Sequence, residues 1–252
     1  MKRVFSRTCG VILTAALTLA GCLSESTQAQ AVNNQPAKPA LTTVAAVTPA
    51  PTPQVQQAPV APAPAPMEFR EGVHYTVISP PIPTQVPPGK TEVVEMFWYG
   101  CPHCRALEPT LNKFLQTKPD NVVFRRVPAT LSPRWAFHAK LFYVGQMLDP
   151  TGAKHVHIQI FEALHTQRRE INDEDAMQRF FANMGFTPDQ VKGAMQSMEM
   201  QADLARSDEI GQRSKADSVP VIIINGKYMT SPSRVGSEEN LLQAIKYLSS
   251  KP

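Results

Sequence analysis

A change of composition between residues 66 and 67 sets the limits on what this 252-residue chain can fold into. The 44 residues from Leu23 to Pro66 are mostly Ala, Pro, Gln, Thr and Val, with one acid (Glu25), one base (Lys38) and no aromatic side chain. Such a stretch has too little apolar side-chain area to offset the entropy of ordering its backbone, and its Ala-Pro repeats favour an extended polyproline conformation. It is expected to be a disordered tether, about 140 Å long if fully extended at about 3.1 Å per residue. The folded body is then expected from Met67 to Pro252, long enough for one substantial core or a core with an inserted lobe.

Ahead of the tether, Lys2, Arg3 and Arg7 form a basic start, and an apolar run from Val11 to Ala20 ends at small residues. That is the pattern of a bacterial export signal, too short to span a bilayer as a stable helix. Leu19-Ala20-Gly21-Cys22 resembles the lipobox of bacterial lipoproteins, which implies cleavage after Gly21 and a lipid on Cys22. Residues 1–21 are thus expected to be a signal peptide and 22–66 a lipid-anchored tether. Leu23 stands where enteric bacteria use Asp to retain a lipoprotein at the inner membrane, so the outer membrane is favoured over the inner. Of the four cysteines, Cys9 leaves with the signal and Cys22 is capped as a thioether. Cys101 and Cys104 remain as thiols in an oxidising compartment. The formal charge of +4 includes Lys2, Arg3 and Arg7; without them it is +1. Acids and bases are interspersed afterwards, with no basic stripe, so nucleic acid is not an expected partner.

In the folded part, His74–Ile78 alternates like an edge strand, and Thr91–Phe97 is a short apolar run fit for a central strand. A helix is predicted from the Cys-Pro-His-Cys segment to about Lys118, with Pro102 in its first turn and Pro109 kinking it. Val122–Val127 reads as a third strand. Helices are predicted from Ser132-Pro133 to about Met147, and over about 154–166, 173–184 and 188–215, the last broken near Ser197. Asn172 and Thr187 are the expected caps and Gly185 an expected stop. Val219–Ile224, the turn Asn225-Gly226 and Lys227–Met229 read as a hairpin, and Ser237 caps a closing helix to about Ser249.

Cys101-Pro102-His103-Cys104 carries the chemistry. In a Cys-x-x-Cys that opens a helix, the first sulfur lies at the N-terminal end. Unpaired backbone N–H groups and the positive end of the helix dipole stabilise its thiolate there. His103 adds a donor, or a charge when protonated. Cys104 lies one turn deeper, placed to resolve a mixed disulfide. Stabilising one thiolate favours the dithiol over the disulfide, which is then readily given away. A structural zinc site wants a second ligand pair, and His155-x-His157 is poorly suited to supply it. Haem attachment needs a histidine where Arg105 stands. No metal or other cofactor is expected beyond the redox-active cysteine pair. His74, His138, His155, His157 and His165 read as surface or packing residues. Met195, Met198 and Met200 read as helix packing, with copper binding the competing reading. Glu95 interrupts an apolar strand six residues before Cys101. If buried, it is costly unless paired or protonated, and it is then a proton acceptor or relay for Cys104; if it faces outward it is only a strand residue.

The order of strand, strand, helix, strand, helical block, hairpin and helix is an α/β, thioredoxin-like layout with an inserted helical domain. Its two thioredoxin-like parts are expected at about 67–130 and 216–252, and the insertion at about 131–215. Together with Cys101–Cys104, the strand Val93–Phe97, Val219-Pro220 and Asn225-Gly226-Lys227-Tyr228, it resembles the DsbA family of periplasmic thiol:disulfide oxidoreductases over nearly all of residues 67–252. The resemblance implies a dithiol oxidase acting on reduced exported proteins, monomeric, and reoxidised by a DsbB-like quinone-linked membrane protein. It implies that Pro220 is a cis proline facing the sulfurs, beside backbone able to pair with an extended substrate. Val219 before it is similar to the oxidases, whereas Thr is commoner among isomerases. Some members pair the strand acid with a lysine on the next strand. Here Val122–Val127 holds Arg125 and Arg126 instead, which leaves the partner of Glu95 open. An isomerase or reductase, and a non-catalytic envelope chaperone, are the alternatives. The first usually carries a folded dimerisation domain where residues 23–66 stand, and the second has no use for an intact Cys-Pro-His-Cys.

Overall fold

The computed structural model describes residues 67–251, so the expected signal peptide, Cys22 and the tether lie outside the described residues. Within them the strands are β1 (Thr76–Val77), β2 (Thr91–Phe97), β3 (Val122–Pro128), β4 (Val221–Ile224) and β5 (Tyr228–Thr230). They form one sheet in the order β1-β5-β4-β2-β3. β2 runs parallel to β3 and antiparallel to β4, with Glu95 opposite Arg126 on one side and Ile222 on the other. All seven residues of β2 are buried, as a strand covered on both faces requires.

The two faces are filled by alternate residues of the same strands. Val93, Ile222 and Ile224 pack on Leu107 and Leu111 of α1 (Pro102–Thr117) and on Leu241, Ile245 and Leu248 of α8 (Glu238–Ser249). Val94, Met96, Val221 and Ile223 pack on Ile210 of α6 (Met198–Ser214). Between β3 and β4 the chain forms α2 (Pro133–Leu148), α3 (Val156–His165), α4 (Glu174–Ala182), α5 (Pro188–Met195) and α6. Their core centres on Phe142, Ile160, Phe161, Phe181 and Met177, and it meets the end of β2 at Phe97 and Tyr99.

Local signals set most helix ends. Ser132, Ser197 and Ser237 each accept a backbone N–H three residues on, and Thr187 with Gln190 forms a reciprocal capping box. The cap of α4 is Asp173, not Asn172: its carboxylate accepts the Ala176 N–H at 2.7 Å, and a negative charge suits the dipole. α3 starts later than predicted because His155 sits in the left-handed region (φ 51°) and Asp149 takes the Lys154 N–H. α1 is unbroken across Pro109. A short helix, α7 (Pro232–Val235), was not predicted, although Ser231-Pro232 repeats the cap-plus-proline signal of Ser132-Pro133. Asn225 and Gly226 both have positive φ (52° and 63°), the geometry a two-residue hairpin loop needs. The peptide bonds Ser79–Pro80 and Val219–Pro220 are cis. Met200 is buried and Met195 partly so, whereas Met198 is 88% exposed, so these methionines do not converge.

Candidate active site

β2 ends at Phe97, and Trp98-Tyr99-Gly100 carries the chain to the start of α1. The Trp98 ring folds back over Gly100, where a Cβ would meet it at 2.3 Å, so the turn requires glycine there. It also stacks on Trp135 of α2 at 4.5 Å. The Trp98 carbonyl accepts the Cys101 N–H at 2.9 Å, which leaves Cys101 as the N-cap with extended backbone and Pro102 opening the helix. Cys101 is 8% exposed and Cys104 fully buried, both as free thiols.

The two sulfurs are electrostatically unlike. The Cys101 pKa is lowered to about 6, first because the Cys104 thiol donates a hydrogen bond to its sulfur. Burial opposes this, the backbone N–H groups of Cys104 and His103 add to it, and the charge of exposed His103 contributes least. The Cys104 thiol is pushed far above the ordinary range, first by burial, then by its hydrogen bond to Cys101 and by the charges of Cys101 and Glu95. The Cys101 Sγ–H reaches the Val219 carbonyl at 3.5 Å, which places the cis Val219–Pro220 loop against the Cys101 sulfur.

Glu95 lies inside the sheet at 0% exposure, and its pKa is pushed up to about 8. Burial is the main cause; Arg126 opposes it, and the charges of Glu108 and Cys101 add to it. Arg126 Nε is 3.3 Å from Glu95 Oε2, without the alignment of a hydrogen bond. Arg126 is therefore the residue of β3 that faces Glu95, while Arg125, on the opposite face of β3, pairs with Glu92 at 3.1 Å.

Three residues beyond the expected site, Arg126, Glu108 and His157, complete the polar interior. Arg126 holds Glu108 with a forked pair of hydrogen bonds, 2.8 and 3.2 Å. His157 of α3 bonds Glu108 at 2.9 Å through Nε2 and the Tyr99 hydroxyl at 2.9 Å through Nδ1. Burial alone would raise the Glu108 pKa, but the His157 and Arg126 donors together hold it below the ordinary carboxylate value. Glu108 had a signal in the sequence: it follows Cys104 by four residues, hence shares its buried helix face. His157 had none, because its contact is long-range. His155 stays exposed before α3, and among the described residues no cluster of three or more His, Cys, Asp or Glu side chains is arranged to hold a metal ion.

The arrangement is a thiol pair at a helix start in which one sulfur is anionic near neutrality and the other is protonated, within electrostatic reach of an acid. Comparison with known proteins agrees. Residues 136–246 match a DSBA-like thioredoxin domain, a match that spans the insertion and the hairpin but starts after the cysteines. The chain is 35% identical over 184 residues to a thiol:disulfide interchange protein DsbA of Pseudomonas syringae pv. tomato, covering 73% of this chain and 84% of that one. It is 32% identical over 185 residues to that of Pseudomonas aeruginosa, covering 73% and 86%. The crystal structure of Pseudomonas aeruginosa DsbA superposes with a TM-score of 0.66 at 32% identity, covering 72% of this chain and 93% of that one. Reduced DsbA1 of Neisseria meningitidis gives 0.60 at 27%, covering 73% and 98%. This chain belongs to the DsbA family, and it is a thiol:disulfide oxidoreductase.

Proposed function

We propose that the protein works as a dithiol oxidase, giving the Cys101–Cys104 disulfide to reduced exported proteins. The observation that carries this reading is the opposed displacement of the two thiols, Cys101 down and Cys104 up. A substrate thiolate attacks Cys101 Sγ; the bond between Cys101 and Cys104 breaks and a mixed disulfide forms. Cys104 leaves as a thiolate in a site that disfavours its charge, and Glu95, protonated near neutrality, supplies its proton. A second substrate thiolate then attacks the substrate sulfur of the mixed disulfide and releases Cys101 as a stabilised thiolate. The substrate dithiol has lost two electrons and the enzyme disulfide has gained them. Val219 and Pro220 present backbone beside Cys101 for an extended substrate segment, and Pro102 and His103 shape the helix start that receives the charge.

By likeness to the family, the partners are reduced exported proteins and a DsbB-like quinone-linked membrane oxidase that restores the disulfide. The Leu19–Cys22 pattern and the composition of residues 23–66 support a monomeric, periplasmic form, tethered through lipid on Cys22, with the outer membrane favoured over the inner.

Cys101→Ser is expected to abolish oxidation of a reduced substrate, and Cys104→Ser, in which Cys101 can only attack the disulfide of an oxidised partner protein, to accumulate mixed disulfides, since no second enzyme thiol displaces the bound partner. Oxidation that survives in Cys101→Ser overturns the assignment; a variant that only keeps substrates soluble favours the chaperone reading. Cys22→Ala is expected to lose labelled fatty acid, and label retained on that variant removes the lipid anchor.

A further inference from the structure

The buried polar interior holds two carboxylates and one guanidinium, so one proton has to be placed. Glu108 accepts three hydrogen bonds, two from Arg126 and one from His157. Among the described residues Glu95 accepts none, and its cationic neighbour Arg126 stands at 3.3 Å and misaligned. A carboxylate accepts at about four lone-pair positions; donors fill three of these on Glu108 and none on Glu95, so the negative charge is better held on Glu108 and the proton on Glu95.

His157 makes this assignment possible. A carboxylate can only accept, so the His157 nitrogen facing Glu108 carries the hydrogen; in the neutral ring the other nitrogen accepts from the Tyr99 hydroxyl. The ring is held edge-on by Phe97, Phe142 and Phe161, and one side of it borders a cavity of about 590 Å³ that Tyr99 and Arg126 also line. Among the described residues the ionisable groups that act on the pair are Glu95 from β2, Tyr99 from the loop after it, Cys101, Cys104 and Glu108 from α1, Arg126 from β3 and His157 from α3.

We propose that His157, supplied by the helical insertion, is a positioning residue of the redox reaction: its Nε2–H holds Glu108 as the charged carboxylate and so keeps the proton on Glu95, next to Cys104. The inference rests on the reading of Glu95 as the proton donor to Cys104. Through this contact the insertion contributes to the proton supply of a site built on the sheet.

The test follows the pH dependence of a single turnover, the reduction of the enzyme disulfide by a peptide dithiol. The ratio of variant to native rate cancels the titration of the peptide. Glu95 is active while protonated, so the rate falls as pH rises through its pKa. His157→Phe takes one donor from Glu108, the proton shifts toward Glu108, and Glu95 ionises earlier by about one pH unit, the scale of one hydrogen bond to a charged group. The His157→Phe ratio is expected to be near one at pH 6 and to fall about five- to tenfold at pH 8 and above. His157→Gln, whose amide can still donate, should keep most of the native profile. A His157→Phe ratio flat with pH, while Glu95→Gln removes the alkaline fall, overturns the role of His157. A Glu95→Gln profile identical to native overturns the donor reading beneath it. If His157→Phe fails to fold, infrared difference spectra of the otherwise native site serve: at neutral pH the protonated carboxyl band must vanish in Glu95→Gln, and a band that persists there refutes the proposal.

Discussion

Reducing the Cys101–Cys104 pair should make folding stability depend on pH in a way the oxidised protein does not share. In the folded dithiol the Cys101 pKa is about 6, against 9.0 for an ordinary thiol. The group is depressed, so its contribution is complete above pH 9, declines as the pH falls, and is lost below about 6. At about 1.4 kcal/mol per pKa unit it amounts to about 0.4 kcal/mol at pH 6, 1.4 at pH 7 and 2.7 at pH 8. Cys101 lies at the start of α1 with part of its sulfur open to water, so screening cuts the rise between pH 6 and 8 from about 2.3 to about 1–2 kcal/mol. Cys104 adds nothing in this window, since its thiol stays protonated in both states below pH 9. Glu95, whose raised pKa costs stability as pH rises above the ordinary carboxylate value, does so in both redox forms and largely cancels in the difference. Denaturant unfolding of the reduced and oxidised forms at pH 6, 7 and 8 isolates the effect, because the cross-link's own contribution does not vary with pH. The stability of the reduced form minus that of the oxidised form should grow with pH, while thiolate ultraviolet absorbance titrates near pH 6. A difference that is constant across this range, or that shrinks, refutes the argument that Cys101 is stabilised as a thiolate.

His103→Leu should raise the Cys101 pKa and make the disulfide less oxidising by about 20–65 mV, the equivalent of about 1–3 kcal/mol, toward the lower end because the imidazole is exposed and the backbone N–H groups remain. Equilibration with glutathione measures it, and an unchanged potential would leave the Cys104 hydrogen bond and the backbone N–H groups to do the tuning. Gly226→Ala should destabilise the protein by about 2 kcal/mol or more, since φ is +63° and the added Cβ would meet the Ile82 carbonyl at 1.9 Å. A urea midpoint equal to that of the native protein would contradict this.

Much of the architecture was legible because its signals are local. A proline after a cysteine or serine starts a helix, Thr187 with Gln190 closes a capping box, and Asn225-Gly226 makes a turn whatever surrounds it. The Cys101–Cys104 spacing likewise specifies one sulfur at a helix start and one a turn inside. The error at α4, where Asp173 and not Asn172 is the cap, is of one residue, between two side chains with the same capping chemistry. The charge states inside the site were not legible, because they depend on register and packing between distant segments. Glu95 meets Arg126 and not Arg125 because the parallel pairing of β2 and β3 sets those two positions opposite; adjacent strand residues face opposite ways, so a slip of one residue would exchange them. His157 lies 49 residues from Glu108 and 58 from Tyr99, and no periodicity in α3 distinguishes it from a packing histidine. The chain alone therefore determined which atoms exchange electrons. Only the tertiary structure decided where their protons reside, since a buried carboxyl takes its charge from the donors that folding brings within hydrogen-bond reach.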